Sequence, residues 1–364
     1  MKYPVYQPYF NGKEKEYVND CIDTTWISSK GKYIEEFEKE YAKYIDVNYA
    51  TCVSNGTVAI HLALLALGIG PGDEIIVPSF TYIASVNAII YCGAIPIFID
   101  SEPEYWQLDP KAIEELITPQ TKAIMPVHLY GHPCDMIEIC KIAKQHKLFV
   151  IEDCAEAIGT QINGHKVGTF GDISTFSFFG NKTITTGEGG MVVTNDETLY
   201  QRAIHLKGQG LAKHRQYWHD VVGYNYRMTN ICAAIGLAQL STVENVIEKK
   251  RQIATWYKKY LDRNFAQLHQ EKPGTVHTYW MCSILLEKSK DRDPLREHLE
   301  REGVETRPLF YPVHTMPMFS AKYKRFPVAE NIGLRGINLP SYPDLTEEDV
   351  KYIAKAVNLY FAHK

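Results

Sequence analysis

The sequence predicts an α/β protein in which a large domain with a mostly parallel central sheet, residues 1–250, is followed by a smaller α+β domain, residues 251–364. From about residue 45 to residue 200, short apolar runs rich in β-branched residues alternate with helical patterns. This alternation is typical of a parallel sheet with helices on both faces. The length of 364 residues also favours two domains, because one domain commonly has roughly 100–200 residues.

Each apolar run of the first domain predicts one strand. In chain order the runs are YATCVS, EIIVPS, IPIFID, KAIMPVH, KLFVIED, ISTFSF and GGMVVTN. Helical patterns begin near Thr57 and recur in SVNAIIYCG and MIEICKIAKQHK. A longer pattern, AAIGLAQLSTVENVIEKKRQIATWYKKYLD, begins near Ile231 and predicts a helical link to the second domain.

Residues after about 265 predict the smaller domain. TYWMCSILL predicts a strand, and the residues from about 294 to 302 predict a helix. LTEEDV has the threonine and acidic residues of a capping box, so a last helix should begin there.

The composition excludes several classes of protein. A net charge of −4 without a basic arm or stripe argues against a nucleic-acid footprint. The most apolar helical stretch, VAIHLALLALGI, is too short to cross a bilayer, and the first ten residues lack the apolar core of a signal peptide. The eight cysteines include no CxxC pair, and His128, His132 and Cys134 have no fourth zinc ligand in their loop. We therefore expect a cytoplasmic protein without a metal, whose partners are neither nucleic acid nor membrane.

Polar residues follow several predicted strands at the point where each strand ends, the edge at which open parallel sheets bind ligands. In SNGTVA, Gly56 permits a tight turn and Thr57 opens a helix. The free N–H groups of that helix and the threonine hydroxyl predict a phosphate site. Ser177 lies near the end of ISTFSF, where its hydroxyl could reach a phosphate. Taken alone, Thr57 could equally be a helix cap without a ligand.

Two further strand ends carry side chains suited to a planar, protonated ring. Asp153 follows the apolar residues 148–151 and Glu152, and a carboxylate at the end of a buried strand needs a cation or hydrogen-bond donors. A protonated pyridine nitrogen would satisfy it, although a helix-capping aspartate is the simpler alternative. Tyr82 follows EIIVPS and could stack on a planar cofactor or simply pack.

The stretch FGNKTITTGEGG holds Lys182 in a turn after the strand ISTFSF. Such a lysine can be a surface charge, a phosphate clamp or an amine that bonds to a carbonyl, and by itself the surface charge is favoured. Apolar aromatic neighbours lower the pKa of an amine, and Gly187, Gly189 and Gly190 leave room for a ring. A phosphate site, a buried aspartate, a stacking aromatic and a lysine on different strand ends are together the parts that hold pyridoxal 5′-phosphate (PLP). The combination favours a PLP enzyme with Lys182 and Asp153 as catalytic residues.

Over essentially the whole chain the sequence resembles the sugar aminotransferases of the DegT/DnrJ/EryC1/StrS family. The resembling segments are TTWISSKGKYIEEFE, SNGTVA, GDEIIVPSFTYIAS, PVHLYGHPCDM, IEDCAEAIG, GDISTFSFFGNKTITTGEGG, VGYNYRMTNICAAIGLAQL and LPSYPDLTEEDV. The resemblance implies the type I, aspartate aminotransferase-like fold of PLP-dependent transferases, and a cofactor that alternates between PLP and its pyridoxamine form, PMP. Within the family, DSEPEYWQLDP, LKGQG and GYNYRMTN are most similar to enzymes that aminate C4 of GDP-4-keto-6-deoxy-D-mannose with L-glutamate for bacterial O-antigen and lipopolysaccharide synthesis.

The resemblance also implies a role for individual residues of this chain. Lys182 is the Schiff-base lysine, Asp153 is the partner of the pyridine nitrogen, and Glu156 faces the side of the cofactor's 3-hydroxyl group. The remaining cofactor-binding residues are Gly56, Thr57 and Ser177 at the phosphate, Tyr82 against the ring, and Asn225, which reaches the phosphate from the neighbouring subunit. A site shared in this way implies at least a homodimer.

For the substrates the resemblance implies fewer residues. Candidates near the sugar or the nucleotide are Trp26, Ser28, Tyr311 and His314, of which His314 is equally a structural loop histidine. Arg227 serves either the glutamate carboxylate or the fold.

Three alternatives stay open at the level of sequence. A related sugar 3-dehydratase has histidine in place of the lysine, so Lys182 favours transamination. Another sugar aminotransferase would differ in its nucleotide or in the carbon that is aminated. A regulatory or structural relative without catalysis would not need the set of Lys182, Asp153 and Ser177.

Overall fold

The computed structural model describes residues 1–10, 12–320 and 324–362. In these ranges the chain forms eleven α-helices and fourteen β-strands. The helices are α1 (Lys13–Asp23), α2 (Lys32–Ile45), α3 (Gly56–Leu67), α4 (Ile83–Tyr91), α5 (Met136–His146), α6 (Glu197–Lys207), α7 (Asn230–Leu240), α8 (Val243–Tyr260), α9 (Arg292–Arg301), α10 (Pro327–Arg335) and α11 (Glu347–Ala362). The strands are β1 (Tyr49–Val53), β2 (Glu74–Pro78), β3 (Ile95–Ile99), β4 (Thr121–Ile124), β5 (Phe149–Asp153), β6 (Gln161–Ile162), β7 (His165–Lys166), β8 (Ile173–Ser177), β9 (Gly190–Thr194), β10 (Ala266–Leu268), β11 (Thr275–Val276), β12 (Cys282–Leu286), β13 (Arg307–Pro308) and β14 (Gly336–Leu339). Among the described residues, no helix combines the length and the apolarity needed to cross a membrane.

The large sheet confirms the predicted parallel architecture. Its strands lie in the order β1-β9-β8-β5-β4-β2-β3, and each apolar run noted in the sequence supplies one of them. The pairs β8/β5, β5/β4, β4/β2 and β2/β3 are parallel, whereas β9 is antiparallel to both of its neighbours. All strands except β9 therefore run in one direction, and their carboxyl ends meet at one edge.

Apolar side chains cover both faces of this sheet. Val150 and Val193 pack into a core with α2 and α5, whereas their neighbours Ile151 and Val192 pack on the opposite face with α3 and α4. Successive strand residues point to opposite faces, so a strand buried on both sides has to be apolar at every position. The buried faces leave the carboxyl edge of the sheet as the place where polar groups can gather.

The smaller domain is built on an antiparallel sheet in the order β10-β12-β14-β13. Its core joins β12 and β14 to α8, α9 and α11. Helix α11 begins at the predicted capping box, in which the backbone N–H groups of Thr346 and Asp349 each donate to the other residue's side chain. A short sheet, β11-β6-β7, connects this domain to the large one.

The long helical pattern after Ile231 forms two helices rather than one. Helix α7 ends at Leu240, and Thr242 has φ −125° and ψ 12°, outside the helical region. The Ser241 hydroxyl donates to the Ala238 carbonyl, a local bond that competes with continuation of the helix. The first turns of α8 pack in the core of the large domain and its last turns in the core of the smaller one, so α8 crosses between them.

The first residues of the chain pack on the smaller domain. Tyr3 forms a β-bridge with Val304, and the Val5 N–H donates to the Glu305 carboxylate at 2.9 Å. Tyr3 and Val5 therefore contact the smaller domain, whereas the Tyr9 carbonyl accepts from Gln239 of α7 in the large one. The division of the chain at residue 250 stays a prediction.

Three buried histidines, His132, His269 and His277, form a cluster beside the connecting sheet. The ring centroids of His269 and His277 lie 4.8 Å apart, and those of His132 and His277 lie 5.3 Å apart. Burial lowers the pKa of His132 to about 2 and the pKa of His269 to about 4, and it holds the pKa of His277 well below its ordinary value. This histidine cluster is therefore neutral in the native protein at neutral pH.

The histidine cluster predicts that the free energy of unfolding falls as the pH drops below about 6.5, where histidines of the unfolded chain take up protons. The native state resists this protonation, so each buried histidine adds a slope of up to about 1.4 kcal/mol per pH unit between pH 6.5 and its folded pKa. Urea unfolding of the cofactor-free protein between about pH 7.5 and 5.5 measures the slope.

His269→Phe should reduce this slope, because a phenyl ring can still stack on Trp106 but takes up no proton. The matched control is His165→Gln at an exposed position, which should leave the slope unchanged. Equal slopes for His269→Phe and the native protein would contradict the prediction.

Candidate active site

A cavity of about 760 Å³ lies at the carboxyl edge of the large sheet and extends to residues of the smaller domain. The sequence candidates that line it are Gly56, Thr57, Tyr82, Asp153, Glu156, Ser177 and Lys182. They lie just beyond, or at the ends of, β1, β2, β5 and β8. Because these strands are parallel and adjacent or nearly so, residues far apart in the chain meet in one cavity.

The turn from β1 into α3 fits a phosphate. The Asn55 side chain caps the helix by accepting the Val58 N–H. A Cβ atom at Gly56 would lie 2.7 Å from Ser177 Cβ, so only glycine lets the helix begin this close to β8. The first N–H groups of a helix have no partner within the helix, and here they lie beside the hydroxyls of Thr57 and Ser177. This donor set is suited to an anion.

Asp153 ends β5 and is 3% exposed. One carboxylate oxygen accepts from the Ser85 hydroxyl at 2.7 Å, and the other accepts the Ala155 N–H at 3.1 Å. Burial raises the pKa of this carboxyl group, and the two donors oppose the rise. A cation in the cavity would stabilise the charged carboxylate, so the position fits the protonated nitrogen of a pyridine ring.

Lys182 lies in the loop between β8 and β9, and its side chain is 13% exposed. Its Nζ lies 3.6 Å from Glu156 Oε1 and 3.9 Å from the centre of the Trp280 ring. Burial lowers the pKa of this amine, whereas the carboxylates of Glu156 and Asp153 act in the opposite direction. A buried amine of this kind gives up its proton readily and can serve as a nucleophile and a proton carrier.

Glu156 is held by a strained backbone segment. Its second oxygen accepts the Tyr130 N–H at 2.8 Å, and Tyr130 has a left-handed φ of 57°, uncommon for a bulky residue. The Tyr130 hydroxyl in turn accepts the Phe310 N–H of the smaller domain at 3.0 Å. Burial raises the pKa of Glu156 to about 7, with Lys182 as the largest opposing influence. Glu156 is therefore placed to exchange a proton with the Lys182 amine.

Tyr82 immediately precedes α4 and is 58% exposed at the cavity. Its ring centroid lies 5.6 Å from that of Phe310. An exposed aromatic ring at this position fits a planar cofactor. With the phosphate-binding turn, Asp153 and Lys182, the residues present fit PLP, which when bound supplies an aldehyde carbon for an amine and a ring that accepts electrons.

In the described part of the chain, the lining of this cavity does not include the candidates Asn225, Arg227, Trp26 and Ser28. Asn225 is exposed, and its side-chain oxygen accepts the Arg227 Nε–H at 3.3 Å. Trp26 borders a separate surface cavity of about 680 Å³ between α1 and α2. The Ser28 carbonyl accepts the Asn230 N–H at 2.6 Å.

Tyr311 and His314 also lie outside the lining formed by the described residues. The Tyr311 hydroxyl accepts from Arg292 Nη2 at 3.2 Å. His314 is buried, with one ring nitrogen 2.5 Å from Ser79 Oγ and the other 3.1 Å from Glu330 Oε1. Both ring nitrogens of His314 therefore have protein partners.

The buried group of His128, Glu152 and Cys154 brings three possible metal-ligand atoms within 4.8 Å of one another. His128 Nδ1 accepts the Cys134 N–H, so Nε2 carries the proton and donates to Glu152 at 3.1 Å. The Glu152 carboxylate also accepts the backbone N–H groups of Gly168, Phe170 and Gly171. Both ring nitrogens of His128 are thus used in hydrogen bonds that support the strand end beside Asp153.

Several cavity residues were missed in the sequence. They belong to the smaller domain or its approach: Trp280, Met281, Arg307, Phe310 and Asn338. Short strands and loops hold them, with no motif that marks a ligand site. The aromatic doublet in TYWMC is a signal that could have indicated them, but the segment by itself predicts only a strand. The packing of the smaller domain against the sheet edge brings these residues to the cavity.

A protein-family model described as the DegT/DnrJ/EryC1/StrS aminotransferase family matches residues 8–358. The GDP-perosamine synthase of Escherichia coli O157:H7 is 65% identical over 365 residues, which cover 100% of both chains. The GDP-perosamine synthase of Vibrio cholerae is 52% identical over 98% of this chain and 99% of that one. Among solved structures, DesV of S. venezuelae has a TM-score of 0.91 at 32% identity over 98% of both chains. The aminotransferase PseC of Helicobacter pylori has a TM-score of 0.95 at 24% identity over 100% of both chains, which shows the fold alone.

The fold and the cavity define a PLP-dependent transferase of the type I fold. With a match that spans nearly the whole chain, the protein belongs to the DegT/DnrJ/EryC1/StrS family and is a PLP-dependent sugar aminotransferase. The predicted fold, family and cofactor are confirmed. The roles of individual residues stay predictions.

The position of Lys182 predicts that Lys182→Ala lowers turnover by about 100-fold or more, because the amine that carries the proton is lost. The variant should still bind PLP non-covalently, since the phosphate-binding turn and Asp153 remain. Borohydride treatment of the native protein with PLP should fix the cofactor to the peptide that contains Lys182, as read by mass spectrometry. Lys122→Ala, at an exposed strand position, is the control and should behave as the native protein does. Cofactor fixed to the Lys182→Ala chain would refute the assignment.

Proposed function

We propose that the protein transfers the amino group of L-glutamate to C4 of GDP-4-keto-6-deoxy-D-mannose, forming GDP-perosamine for O-antigen and lipopolysaccharide synthesis. The observation that carries the proposal is the 65% identity, along the full length, to the E. coli protein named GDP-perosamine synthase. Proteins of the same name from Vibrio cholerae and Caulobacter vibrioides, at 52% and 49% identity, support it.

In the proposed site the cavity residues would hold the cofactor and move a proton. Gly56, Thr57 and Ser177 would bind the phosphate, Asp153 would keep the pyridine nitrogen protonated, and Tyr82 would stack on the ring. Lys182 would anchor the cofactor through its amine, and its Nζ would take up and return a proton. Glu156, 3.6 Å from that amine, can hold the proton between steps and faces the 3-hydroxyl side of the cofactor.

Both proposed substrates are anions, since glutamate carries carboxylates and the sugar nucleotide a diphosphate. Arg307 and Asn338 line the cavity and offer donors that suit such groups. Tyr311, which is outside the described lining of the cavity, would contact a nucleotide that extends beyond the cavity. His314, held by Ser79 and Glu330, has the least support as a substrate ligand.

We further propose a cytoplasmic homodimer with shared active sites. Trp26, Ser28, Asn225 and Arg227 are not among the described residues that line the cavity, and Trp26, Ser28 and Asn225 are exposed to solvent. They can take their proposed roles at the sugar, the cofactor phosphate and the glutamate carboxylate if each completes the site of a partner subunit.

A second candidate function is amination of a different nucleotide sugar. A relative from Acidithiobacillus ferrooxidans named for a UDP-sugar 3-aminotransferase activity is 41% identical over 88% of this chain. A regulatory role has weaker support: a Geobacillus stearothermophilus protein named as a pleiotropic regulator is 36% identical. Lysine at position 182 favours transamination over dehydration, and its setting with Asp153 and Glu156 favours catalysis.

The proposed substrate can be tested with a panel of 4-keto and 3-keto sugars linked to GDP, UDP or dTDP, each incubated with L-glutamate and PLP. We expect the GDP-4-keto-6-deoxy-D-mannose reaction to exceed the others by at least about tenfold in kcat/KM, with the amino product identified by mass spectrometry. Lys182→Ala serves as the inactive control. Amination of a UDP or dTDP sugar without amination of the GDP sugar would reject the proposal in favour of the second candidate.

The shared site can be tested by mixing two inactive variants. In a mixed dimer of Lys182→Ala and Asn225→Ala, one site combines Lys182 of one chain with Asn225 of the other and is complete, so about a quarter of native activity should return after subunit exchange. The matched control mixes Lys182→Ala with Asp153→Ala. These two residues serve the same site from one chain, so no activity should return. Equal failure of both mixtures would place Asn225 outside the partner's site.

A further inference from the structure

Both peptide units that flank the Lys182 Cα atom are held by hydrogen bonds. In the first unit the Lys182 N–H donates to the Phe179 carbonyl at 2.9 Å, and the Asn181 carbonyl accepts the Trp280 Nε1–H at 2.7 Å. In the second unit the Lys182 carbonyl accepts the Tyr6 hydroxyl. The two aromatic donors come from segments far from Lys182 in the chain, so they fix this loop from outside.

Both donors belong to the side of the smaller domain. Trp280 lies two residues before β12. Tyr6 lies in the segment before α1, which is attached to the smaller domain where the Ser341 N–H donates to the Val5 carbonyl at 3.2 Å. The backbone of Lys182, a residue of the large domain, is therefore held by groups of the smaller one.

A buried lysine supports the ring of Tyr6. Lys250 on α8 is completely buried, its Nζ donates to the Ser341 carbonyl at 2.7 Å, and the same atom lies 5.2 Å from the centre of the Tyr6 ring. Burial lowers the pKa of Lys250 to about 8. These contacts restrict the Tyr6 ring, which limits the freedom of its hydroxyl to leave the Lys182 carbonyl.

We propose that Tyr6 and Trp280 form a backbone clamp on Lys182, and that Tyr6 is a positioning residue for the Lys182 amine. The inference rests on the proposed role of Lys182. With both flanking peptide units held, Nζ moves only through the side-chain torsions, within reach of the Glu156 carboxylate and the Trp280 ring. Such control matters because a displacement of about 1 Å can cost about 100-fold in rate.

The clamp also links the alignment of Lys182 to the contact between the two domains. If the smaller domain moved away from the sheet edge, the Asn181 and Lys182 carbonyls would both lose their donors. The loop would then keep only the hydrogen bond of its own turn, and the Lys182 Cα atom, from which the side chain extends, would no longer be held in place.

Two substitutions remove the clamp one hydrogen bond at a time. Tyr6→Phe deletes the hydroxyl and keeps the ring, and Trp280→Phe deletes the indole N–H and keeps an aromatic face.

In the cofactor-free protein, Lys182 is labelled with acetic anhydride at a series of pH values, and the labelled fraction is read by mass spectrometry. This measurement needs neither substrate nor turnover. For Tyr6→Phe we expect the midpoint of the labelling profile to shift upward, towards that of an ordinary lysine, because a loosened amine reaches water.

The second measurement is the half-reaction of the PLP-loaded protein with glutamate, followed by absorbance. Tyr6→Phe should slow it by about 5- to 20-fold, while the glutamate concentration at half-maximal rate stays within about twofold. If Tyr6 served only the stability of the fold, its substitution would lower the unfolding temperature but would not slow the half-reaction at an unchanged glutamate dependence. Tyr9→Phe, in the same segment and with its ring against Lys249, is the matched control and should match the native protein in both measurements.

An unchanged labelling midpoint and an unchanged half-reaction in both clamp variants would overturn the proposal. If thermal unfolding shows that Tyr6→Phe does not fold, an unchanged half-reaction rate in Trp280→Phe overturns the proposal, because that variant has lost the bond to the Asn181 carbonyl. A shifted labelling profile together with failure of every sugar in the substrate panel would support the clamp and count against the proposed substrate instead.

Discussion

A lysine amine removed from most of its water is the constraint on which the rest of the site depends. Lys182 Nζ is placed between the Glu156 carboxylate and the Trp280 ring. Taking a charge out of water costs several kcal/mol unless neighbouring groups replace the hydration. A carboxylate and an aromatic face replace it only in part, so burial lowers the pKa of the amine.

The surrounding structure holds these partners at the distances the site needs. Glu156 is fixed by Tyr130, whose left-handed backbone is maintained by buried aromatic packing. The adjoining Gly131 allows the approach to β12 to pass closely, because a Cβ atom there would lie 2.8 Å from Thr278 Oγ1. The strained Tyr130 and the closely packed Gly131 therefore lie where the edge of the large sheet meets the smaller domain, whose residues close the cavity.

The periodic parts of the sequence predicted the large sheet well, and the strand ends predicted the residues from Gly56 to Lys182 that share the cavity. Both predictions depend on short-range patterns: an apolar run identifies a strand, and parallel strands deliver their last residues to one edge. The break between α7 and α8 was not predicted, since Ser241 and Thr242 interrupt a pattern whose apolar spacing continues through them. The packing of Tyr3 in the core of the smaller domain has no signal in the sequence, because chain order carries no information about which core a segment enters.

By itself, then, the sequence determined the fold class, the family resemblance and the strand-end residues, because these depend on local periodicity and on motifs that are contiguous in the chain. The tertiary structure decided which polar residues meet. It brings Tyr6, Trp280 and Glu156 around Lys182, does not include Asn225 and Trp26 in the described lining of the cavity, and surrounds His314 with protein partners. It also decided the direction of each pKa change, because burial and neighbouring charge depend on the packing of segments far apart in sequence.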